Sequence, residues 1–460
     1  MNTFPSEFLN QMKEMLGDEY PAFLLAMEKE PSLALRLNPK RRDAEASAAA
    51  LIESPVPWAE HGRYIRDTGI KPGSTVLHAA GAFYMQEASA MVSATVLDPQ
   101  PGEKILDLCA APGGKSTQIA AAMQDRGLLV SNDPETSRSK ILSGNLERMG
   151  AANAMVVNAY PYQLAEKWIE HFDAILVDAP CSGEGMFRRD PDARSEWTPA
   201  SPEGCAKRQA EILDQAAKML VPGGRMVYST CTFNRFENEG SILGFLDRHP
   251  EFAFEDFHLE GVGDSENGML HIYPHRVNGD GHFVARLRKS ADAPSLIPSK
   301  SKGKKGEKGK KNINKPKEPD PSGYIAMLER DVCRLPDFIR EQRFFFSGDW
   351  IHCAPVSAPP AEGIHVINPG LCLLKTGRSH VEPAHALAMA LPPEMAHRQA
   401  ELDFKAACAY LSGDTVAYDG EKGWTLVLYK GMPLGWGKVS EGVLKNHLPS
   451  GLRMHHISEI

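Results

Sequence analysis

From residue 104 onward, short apolar runs alternate with segments of helical periodicity, and this alternation limits the folds that the chain can adopt. The apolar runs occupy residues 104–109, 127–133, 154–158, 173–178 and 224–230. Strands that are joined through helices pair in parallel with right-handed crossovers, and the helices cover both faces of the sheet. The sequence therefore predicts an α/β fold built on a parallel sheet.

Chemically reactive side chains lie at the carboxyl ends of several of these runs. They are Cys109, Asp133, Asp178 and Cys231. Ligands of parallel α/β sheets bind beyond the carboxyl ends of the strands. We therefore expect these side chains to lie together at one edge of the sheet, beside a ligand.

Length and composition indicate a multidomain protein of globular type. The chain has 460 residues, of which 42% are hydrophobic and 24% charged, as in soluble proteins of two or more domains. No run approaches the roughly 20 apolar residues that span a bilayer, and the acidic start lacks a secretory pattern. The eight cysteines show neither a disulfide framework nor metal-ligand spacing. We expect a cytoplasmic protein with reduced thiols, no metal and no membrane partner.

The segment ILDLCAAPGGKSTQIA passes from a predicted strand through small residues into a predicted helix. Its alanines and glycines would let the backbone approach a ligand closely, and Pro112 stiffens the turn. Asp133 ends the next strand, where a carboxylate can accept hydrogen bonds from ribose hydroxyls. The loop also fits a nucleotide or flavin site or a tight turn without a ligand, and Asp133 alone could be a helix N-cap.

Two further segments each place a cysteine just past an apolar strand. They read DAPCSGEGMFRRDP (178–191) and YSTCTFNRFENE (228–239). A thiolate that attacks carbon 6 of cytosine makes carbon 5 nucleophilic enough to accept a methyl group, and a carboxyl group near ring N3, for which Asp178 is the candidate, can stabilise the adduct. The alternative for a single buried cysteine is an inert apolar side chain.

Together with CAAPGGK (109–115), these segments resemble the motifs of the Sun/RsmF-type RNA cytosine-5 methyltransferases. The similarity extends to FYMQEASAM (83–91) and to NGDGHFVARL (278–287). The resemblance implies a Rossmann-like core that uses S-adenosylmethionine and methylates cytosine in RNA. The C-terminal segment resembles the PUA-like module of RsmF-type enzymes, which implies small-subunit (16S) ribosomal RNA as the substrate.

The resemblance also implies roles for individual residues. In this family the nucleophile is the cysteine that follows the strand in the third motif, here Cys231, and the Pro-Cys cysteine, here Cys181, assists release of the product. Asp133 would bind the ribose, Arg138 would support that end of the pocket, and Asp178 would face both base and cofactor. The cofactor loop would comprise Cys109, Ala110, Ala111, Pro112, Gly113, Gly114 and Lys115.

The chain departs from the family pattern after the third strand of the core. Many relatives carry an acid there that contacts the adenine, whereas this chain reads VVNAYPYQL. Asn158 and Tyr160 are the candidate substitutes, and the sequence leaves the choice open.

Composition and resemblance together predict five segments and a set of RNA contacts. The segments are 1–75, an N-terminal RNA-facing α+β unit; 76–289, the catalytic domain; 290–322, a flexible linker; 323–395, an intermediate C-terminal domain; and 396–460, a PUA-like, β-rich RNA-binding domain. The candidate RNA contacts are Arg36, Arg41, Arg42, Trp424, Trp436, Lys438, Lys445 and Arg453. Core packing is the alternative for the two tryptophans.

The predicted linker differs from the rest of the chain in charge. The formal net charge of the protein is −8, yet residues 300–317 contain nine lysines and one glutamate. Such a segment, rich in Lys, Gly, Pro and Ser, cannot form a core of its own. It is either a solubilising spacer or an electrostatic tether for RNA. Elsewhere, RNA binding would depend on local basic patches.

We therefore predict a monomeric RNA cytosine-5 methyltransferase that acts on 16S ribosomal RNA or on the small ribosomal subunit. One alternative is a tRNA cytosine-5 methyltransferase, and another is a non-catalytic RNA-binding factor in ribosome assembly. The thiol pair argues against the non-catalytic alternative, which the fold alone would not exclude. The sequence identifies neither the target cytosine nor whether free RNA or an assembled subunit is modified.

Overall fold

The computed structural model describes residues 4–297, 320–378 and 380–460 of the chain. Most of the predicted linker 290–322, with its lysine run, lies outside the described residues. The last strand before it ends at Lys289, and the next helix begins at Ser322. Among the described residues, no helix is long and apolar enough to cross a membrane.

The N-terminal part combines helices with a small antiparallel sheet of strand order β2-β3-β1-β4. Its first two helices bury Phe8 and Phe23 against Phe233, which lies two residues after Cys231. The fourth strand lies beyond the predicted boundary at residue 75. The elements are α1 (Ser6–Leu16), α2 (Tyr20–Glu28), β1 (Leu33–Leu37), α3 (Ala44–Ser47), β2 (Ile52–Pro55), β3 (Gly62–Ile65), α4 (Val76–Ala79) and β4 (Phe83–Met85).

The central part alternates strands and helices as the sequence predicts. Its elements are α5 (Val92–Leu97), β5 (Lys104–Asp107), α6 (Gly114–Met123), β6 (Leu128–Asn132), α7 (Thr136–Arg148), β7 (Ala154–Asn158), α8 (Pro161–Ala165), β8 (Phe172–Asp178), α9 (Pro191–Glu196), α10 (Ser201–Met219), β9 (Leu220–Thr230), α11 (Glu239–Arg248), β10 (Phe252–Phe254), β11 (His258–Leu259), β12 (Gly263–Asp264), β13 (Met269–Ile272) and β14 (His282–Lys289).

Five of these strands pair in parallel in the order β9-β8-β5-β6-β7, and β14 adds antiparallel to β9. Successive side chains of a strand point to opposite faces. In β8, Ile175 and Val177 therefore join one apolar core and Leu176 joins the other. Burial on both faces explains the continuous apolar runs of the sequence, and the predicted α/β fold is confirmed.

The C-terminal part contains two mainly antiparallel sheets. Their strand orders are β15-β16-β18-β19 and β20-β22-β23-β24-β21. Its elements are α12 (Ser322–Asp331), α13 (Asp337–Arg340), β15 (Arg343–Ser347), β16 (Trp350–Ala354), β17 (His365–Asn368), β18 (Leu371–Thr376), β19 (Val381–Pro383), α14 (His385–Ala390), β20 (Gln399–Glu401), α15 (Phe404–Ser412), β21 (Val416–Ala417), β22 (Gly423–Tyr429), β23 (Met432–Ser440) and β24 (Val443–Asn446). The predicted β-rich C-terminal region is thus present.

One strand of the C-terminal part belongs to the central sheet. Strand β17 pairs antiparallel with β7, with His365 opposite Asn158 and Val366 opposite Val157. This pairing covers the edge of the parallel sheet and attaches the C-terminal part to the central one.

Candidate active site

The loop 108–113 connects β5 with α6 and borders a cavity of about 800 Å³. Gly113 has a φ of +112°, in the left-handed region, and a Cβ there would lie 3.1 Å from Leu142 Cδ1. Glycine is therefore favoured at this position. From α7, Arg138 donates a hydrogen bond to the carbonyl oxygen of Ala111 at 3.0 Å. The loop is thus held in place from the neighbouring helix.

Asp133 follows β6 and lines the same cavity. The residue is 1% exposed, and burial raises its pKa. Its carboxylate accepts a hydrogen bond from the backbone N–H of Glu135 at 2.9 Å and lies 3.3 Å from Arg138 Nη2. A carboxylate held at this strand end can also accept hydrogen bonds from the hydroxyls of a ribose.

Asp107, the last residue of β5, is fully buried behind the loop, and burial raises its pKa to about 7. Its Oδ2 accepts a hydrogen bond from Ser116 Oγ at 2.6 Å, whereas Oδ1 has no partner among the described residues. Asp107 is not among the residues that line the cavity. Asp133 is the carboxylate on the cavity that fits S-adenosylmethionine, because the ribose of that cofactor carries hydroxyl donors.

The two motif cysteines are in contact. The sulfur atoms of Cys181, after β8, and of Cys231, after β9, are 3.3 Å apart, and both residues line the cavity. The hydrogen bond with Cys231, together with burial, raises the pKa of Cys181 well above the ordinary thiol value. Cys181 therefore keeps its proton near neutral pH and can donate it toward the sulfur of Cys231.

Asp178, the last residue of β8, lies at the same edge of the sheet as the two cysteines. Lys115 Nζ lies 2.8 Å from its Oδ2, Ser229 Oγ donates to its Oδ1 at 2.7 Å, and His282 Nε2 lies 3.7 Å from Oδ1. Burial would raise the pKa of Asp178, but Lys115 and His282 outweigh it and hold that pKa well below its usual range. Asp178 is therefore a carboxylate anion that can accept hydrogen bonds, and Lys115 is the adjacent donor.

A buried polar network fixes the two cysteine loops relative to each other. Glu237 accepts hydrogen bonds from the backbone N–H of Ser182 at 2.9 Å and from Asn234 Nδ2 at 2.7 Å. Glu184 accepts from the backbone N–H of Asn234 at 3.0 Å. These three polar side chains, Glu184, Asn234 and Glu237, are fully buried. None of the three was predicted as a site residue, although all of them lie within the two motif segments 178–191 and 228–239.

The predicted site residues divide into two groups. One group lines the cavity and comprises Cys109, Ala111, Asp133, Arg138, Asp178, Cys181 and Cys231. The other lies in or beside the loop without lining the cavity and comprises Ala110, Pro112, Gly113, Gly114 and Lys115. The structure therefore brings together residues that lie in separate motifs along the chain. Their individual roles stay predictions.

Several of the predicted RNA contacts are wrong. Arg36 and Arg41 are 2% and 5% exposed, because they donate hydrogen bonds within the protein, Arg36 to Thr117 Oγ1 and Arg41 to the Met389 carbonyl. Trp436 is also buried, and its indole N–H donates to the carbonyl oxygen of Ala384. Trp424 packs in the same core as Trp436, so core packing is correct for both tryptophans. The exposed candidates are Arg42, Lys438, Lys445 and Arg453.

A parallel sheet with a buried carboxylate, Asp133, at its carboxyl edge beside an open cavity is the arrangement of α/β enzymes that bind a cofactor at that edge, and the family matches identify the class as S-adenosylmethionine-dependent methyltransferases. The sequence matches the family described as 16S rRNA methyltransferase RsmB/F over residues 94–288. It further matches the N-terminal domain of RsmF over 4–88, the first C-terminal domain of RsmF over 329–391 and the RsmF PUA domain over 398–454. The chain therefore belongs to the RsmF family, and the resemblance inferred from its motifs is confirmed.

Relatives support this membership along most of the chain. Ribosomal RNA small subunit methyltransferase F of Shewanella amazonensis is 34% identical over 446 residues, which cover 91% of each chain. The protein of the same name from Shewanella loihica is 35% identical over 86% of this chain and 83% of its own. The alignment with the protein of that name from Enterobacter sp. (strain 638), at 40% identity, spans 65% of this chain and 66% of the relative, just under two thirds.

Solved structures share the core. A methyltransferase homologue from Pyrococcus horikoshii is 28% identical, with a TM-score of 0.55 over 63% of this chain and 96% of that one. NSun6 from the same organism, solved with SFG, has a TM-score of 0.56 over 63% of this chain and 99% of its own. At 23% identity, NSun6 supports the fold alone.

The role of Asp133 can be tested by replacing it. We expect Asp133→Ala to weaken binding of S-adenosylmethionine at least about tenfold, because hydrogen bonds to a charged acceptor are each worth roughly 1.5–3 kcal/mol. Isothermal calorimetry on the full chain measures the change. Asp247→Ala, which alters an exposed carboxylate of α11, is the control. Equal affinity of the Asp133→Ala protein and the unmodified protein would contradict the ribose assignment.

Proposed function

We propose that this protein transfers the methyl group of S-adenosylmethionine to carbon 5 of a cytosine in 16S ribosomal RNA. The observation that carries the proposal is the contact between Cys181 and Cys231 beside Asp178, on the cavity that Asp133 also lines. A cytosine methyltransferase needs one thiol as nucleophile and can use a second group to release it. Membership of the RsmF family, and the 16S rRNA in its name, support the choice of substrate.

The methyl donor supplies an electrophilic methyl group when it is bound in the cavity. Cys231 gives up its proton to water and, as a thiolate, forms a bond from its sulfur to carbon 6 of the base. The electron pair of the C5–C6 double bond moves to carbon 5, which then takes the methyl group, and the electron pair of the broken sulfur–methyl bond stays on the sulfur of the donor. The proton on carbon 5 leaves to water, the double bond forms again, and the carbon–sulfur bond breaks with its electron pair returning to Cys231. Cys181, which holds its proton, can donate to the departing sulfur and so assist release.

Asp178 orients the base, and Lys115 holds Asp178 in position. As an anion, Asp178 can accept a hydrogen bond from the exocyclic amino group of cytosine, but it has no proton to give to the ring. Lys115, held 2.8 Å from Asp178, keeps that carboxylate ionised and in position beside the base. This assignment refines the sequence-based hypothesis, which considered the carboxyl group alone.

Bisulfite sequencing of 16S ribosomal RNA tests the proposed substrate and product. We expect one or more cytosines that resist conversion in cells with the gene and become convertible when it is deleted. Resistance should return with the unmodified gene and stay absent with a Cys231→Ala copy. The same sequencing applied to tRNA addresses the alternative substrate. Identical 16S patterns in all strains would contradict the proposal, and a change confined to tRNA would replace rRNA with tRNA.

A further inference from the structure

The cavity contains an aromatic pair on the segment that follows β7. Tyr160 and Tyr162 flank Pro161 just after β7, and all three residues line the cavity. The two rings are stacked, with centroids 6.0 Å apart and planes inclined by 15°. They are nevertheless 58% and 53% exposed. Large aromatic surface that is ordered yet left open to a cavity is typical of a binding surface for another flat group.

The position of the pair relative to Asp133 indicates which group that is. Strands β6 and β7 are parallel neighbours, so the residues that follow them lie side by side at the carboxyl edge of the sheet. If Asp133 holds the ribose, the base attached to that ribose extends along the cavity. The start of the segment after β7 is then within its reach, and Tyr160 lies in that segment.

Asn158, the other candidate for this contact, is already committed within the protein. Its Nδ2 donates to the carbonyl oxygen of Asp133 at 2.8 Å. Its Oδ1 accepts from Thr136 Oγ1 at 3.0 Å and lies 3.1 Å from His365 Nδ1, on strand β17. The amide therefore braces the end of β7 and is not among the residues that line the cavity.

The backbone of Tyr160 is committed as well, because its N–H donates to Gln163 Oε1 at 2.8 Å. What this segment offers a ligand is mainly the face of an aromatic ring. A ring face binds any flat base and does not distinguish the groups on the base edge.

We propose that Tyr160, supported by Tyr162, binds the adenine of the cofactor by stacking. This part of the cavity therefore selects a flat purine and does not recognise its amino group. The inference rests on the proposed function for the identity of the cofactor. Tyr160 is the main contact, and Tyr162 keeps its ring in position.

Calorimetry on the full chain without RNA tests this inference, with S-adenosylhomocysteine and its inosine counterpart, S-inosylhomocysteine, as ligands. We expect Tyr160→Ala to weaken binding of both ligands roughly tenfold or more, as is usual for loss of base stacking. Tyr160→Phe keeps the ring and should stay within about threefold. The unmodified protein should bind the two ligands within about fivefold of each other, because no edge contact to the amino group is lost.

Trp350→Ala serves as the control, since Trp350 is a partly exposed aromatic residue of the separate β15-β16-β18-β19 sheet. Equal affinity of Tyr160→Ala and the unmodified protein for S-adenosylhomocysteine would overturn the inference and leave the proposed function intact. The inference would also be overturned if the unmodified protein preferred S-adenosylhomocysteine by more than about fiftyfold and if Glu135→Gln removed that preference. A carboxylate would then recognise the amino group of adenine. No binding of S-adenosylhomocysteine by the unmodified protein would contradict the cofactor assignment and this inference together.

Discussion

Cys231→Ala is expected to abolish methylation, by at least roughly 10⁴-fold, and to form no covalent complex with RNA. Cys181→Ala is expected to transfer the methyl group but to accumulate a protein–RNA adduct that survives a denaturing gel. The reason is that the two sulfur atoms are 3.3 Å apart and that the raised pKa of Cys181 favours its protonated form. Removing Cys181 leaves the nucleophile but removes the donor to the departing sulfur. Labelled 16S RNA, incubated with protein and S-adenosylmethionine, gives both readouts.

Cys408→Ala, a change on α15 of the C-terminal part, is the control for loss of a thiol elsewhere. An adduct with Cys231→Ala and none with Cys181→Ala would reverse the two roles, as in enzymes that use the Pro-Cys thiol as nucleophile. Undiminished methylation by both variants would exclude covalent catalysis by these residues.

Lys115→Gln is expected to lower methylation by roughly 100-fold, because Asp178 loses the cation that holds it in position beside the base. It should also destabilise the ligand-free protein by roughly 1.5 kcal/mol at pH 7, because the partly exposed Asp178 carboxylate loses a charged hydrogen-bond partner and keeps only Ser229 and the more distant His282. Lys140→Gln, which alters an exposed lysine of α7, should change neither quantity. Methylation assays and urea unfolding of the full chain measure the two effects.

The pH dependence of this destabilisation has a definite sign. In the unmodified protein, the pKa of Asp178 is depressed, so its contribution to stability is present above the unfolded pKa of about 4 and is lost as pH falls through the folded value. Without Lys115, the pKa of Asp178 should rise, because burial is then opposed only by Ser229 and His282, and acid should then neutralise the carboxylate. The stability gap between the two proteins should therefore shrink from pH 8 to pH 5. A constant gap, or a double variant Lys115→Gln/Asp178→Asn no more stable than Lys115→Gln, would contradict this account.

The parallel sheet and the gathering of motif residues could be predicted from the sequence, because both depend on local pattern. The run 154–158 matches β7 residue for residue, while the run predicted at 224–230 begins earlier, at Leu220. Since parallel strands end at one edge, the residues that follow them had to meet there, and Asp178 lies next to the two thiols on the cavity wall.

Contacts between distant segments could not be predicted in the same way. The pairing of β17 with β7 joins residues about 200 positions apart in a region without clear periodicity. Arg36 looked like an RNA contact because arginine is usually exposed. In the structure, Gln86 and Thr117 accept hydrogen bonds from its guanidinium and allow its burial. The ion pair between Lys115 and Asp178 likewise depends on the loop conformation, which the sequence does not specify.

The pairing of β17 with β7 also has a consequence for solubility. An edge strand exposes a row of unsatisfied N–H and C=O groups that can template pairing with another chain. Strand β7 carries the buried, β-prone run AMVVN, and β17 covers its open side. A truncated protein that ends at Lys289 would expose this apolar edge strand to other molecules of the protein. The C-terminal part thus protects the catalytic sheet from self-association, independently of any part it takes in binding RNA.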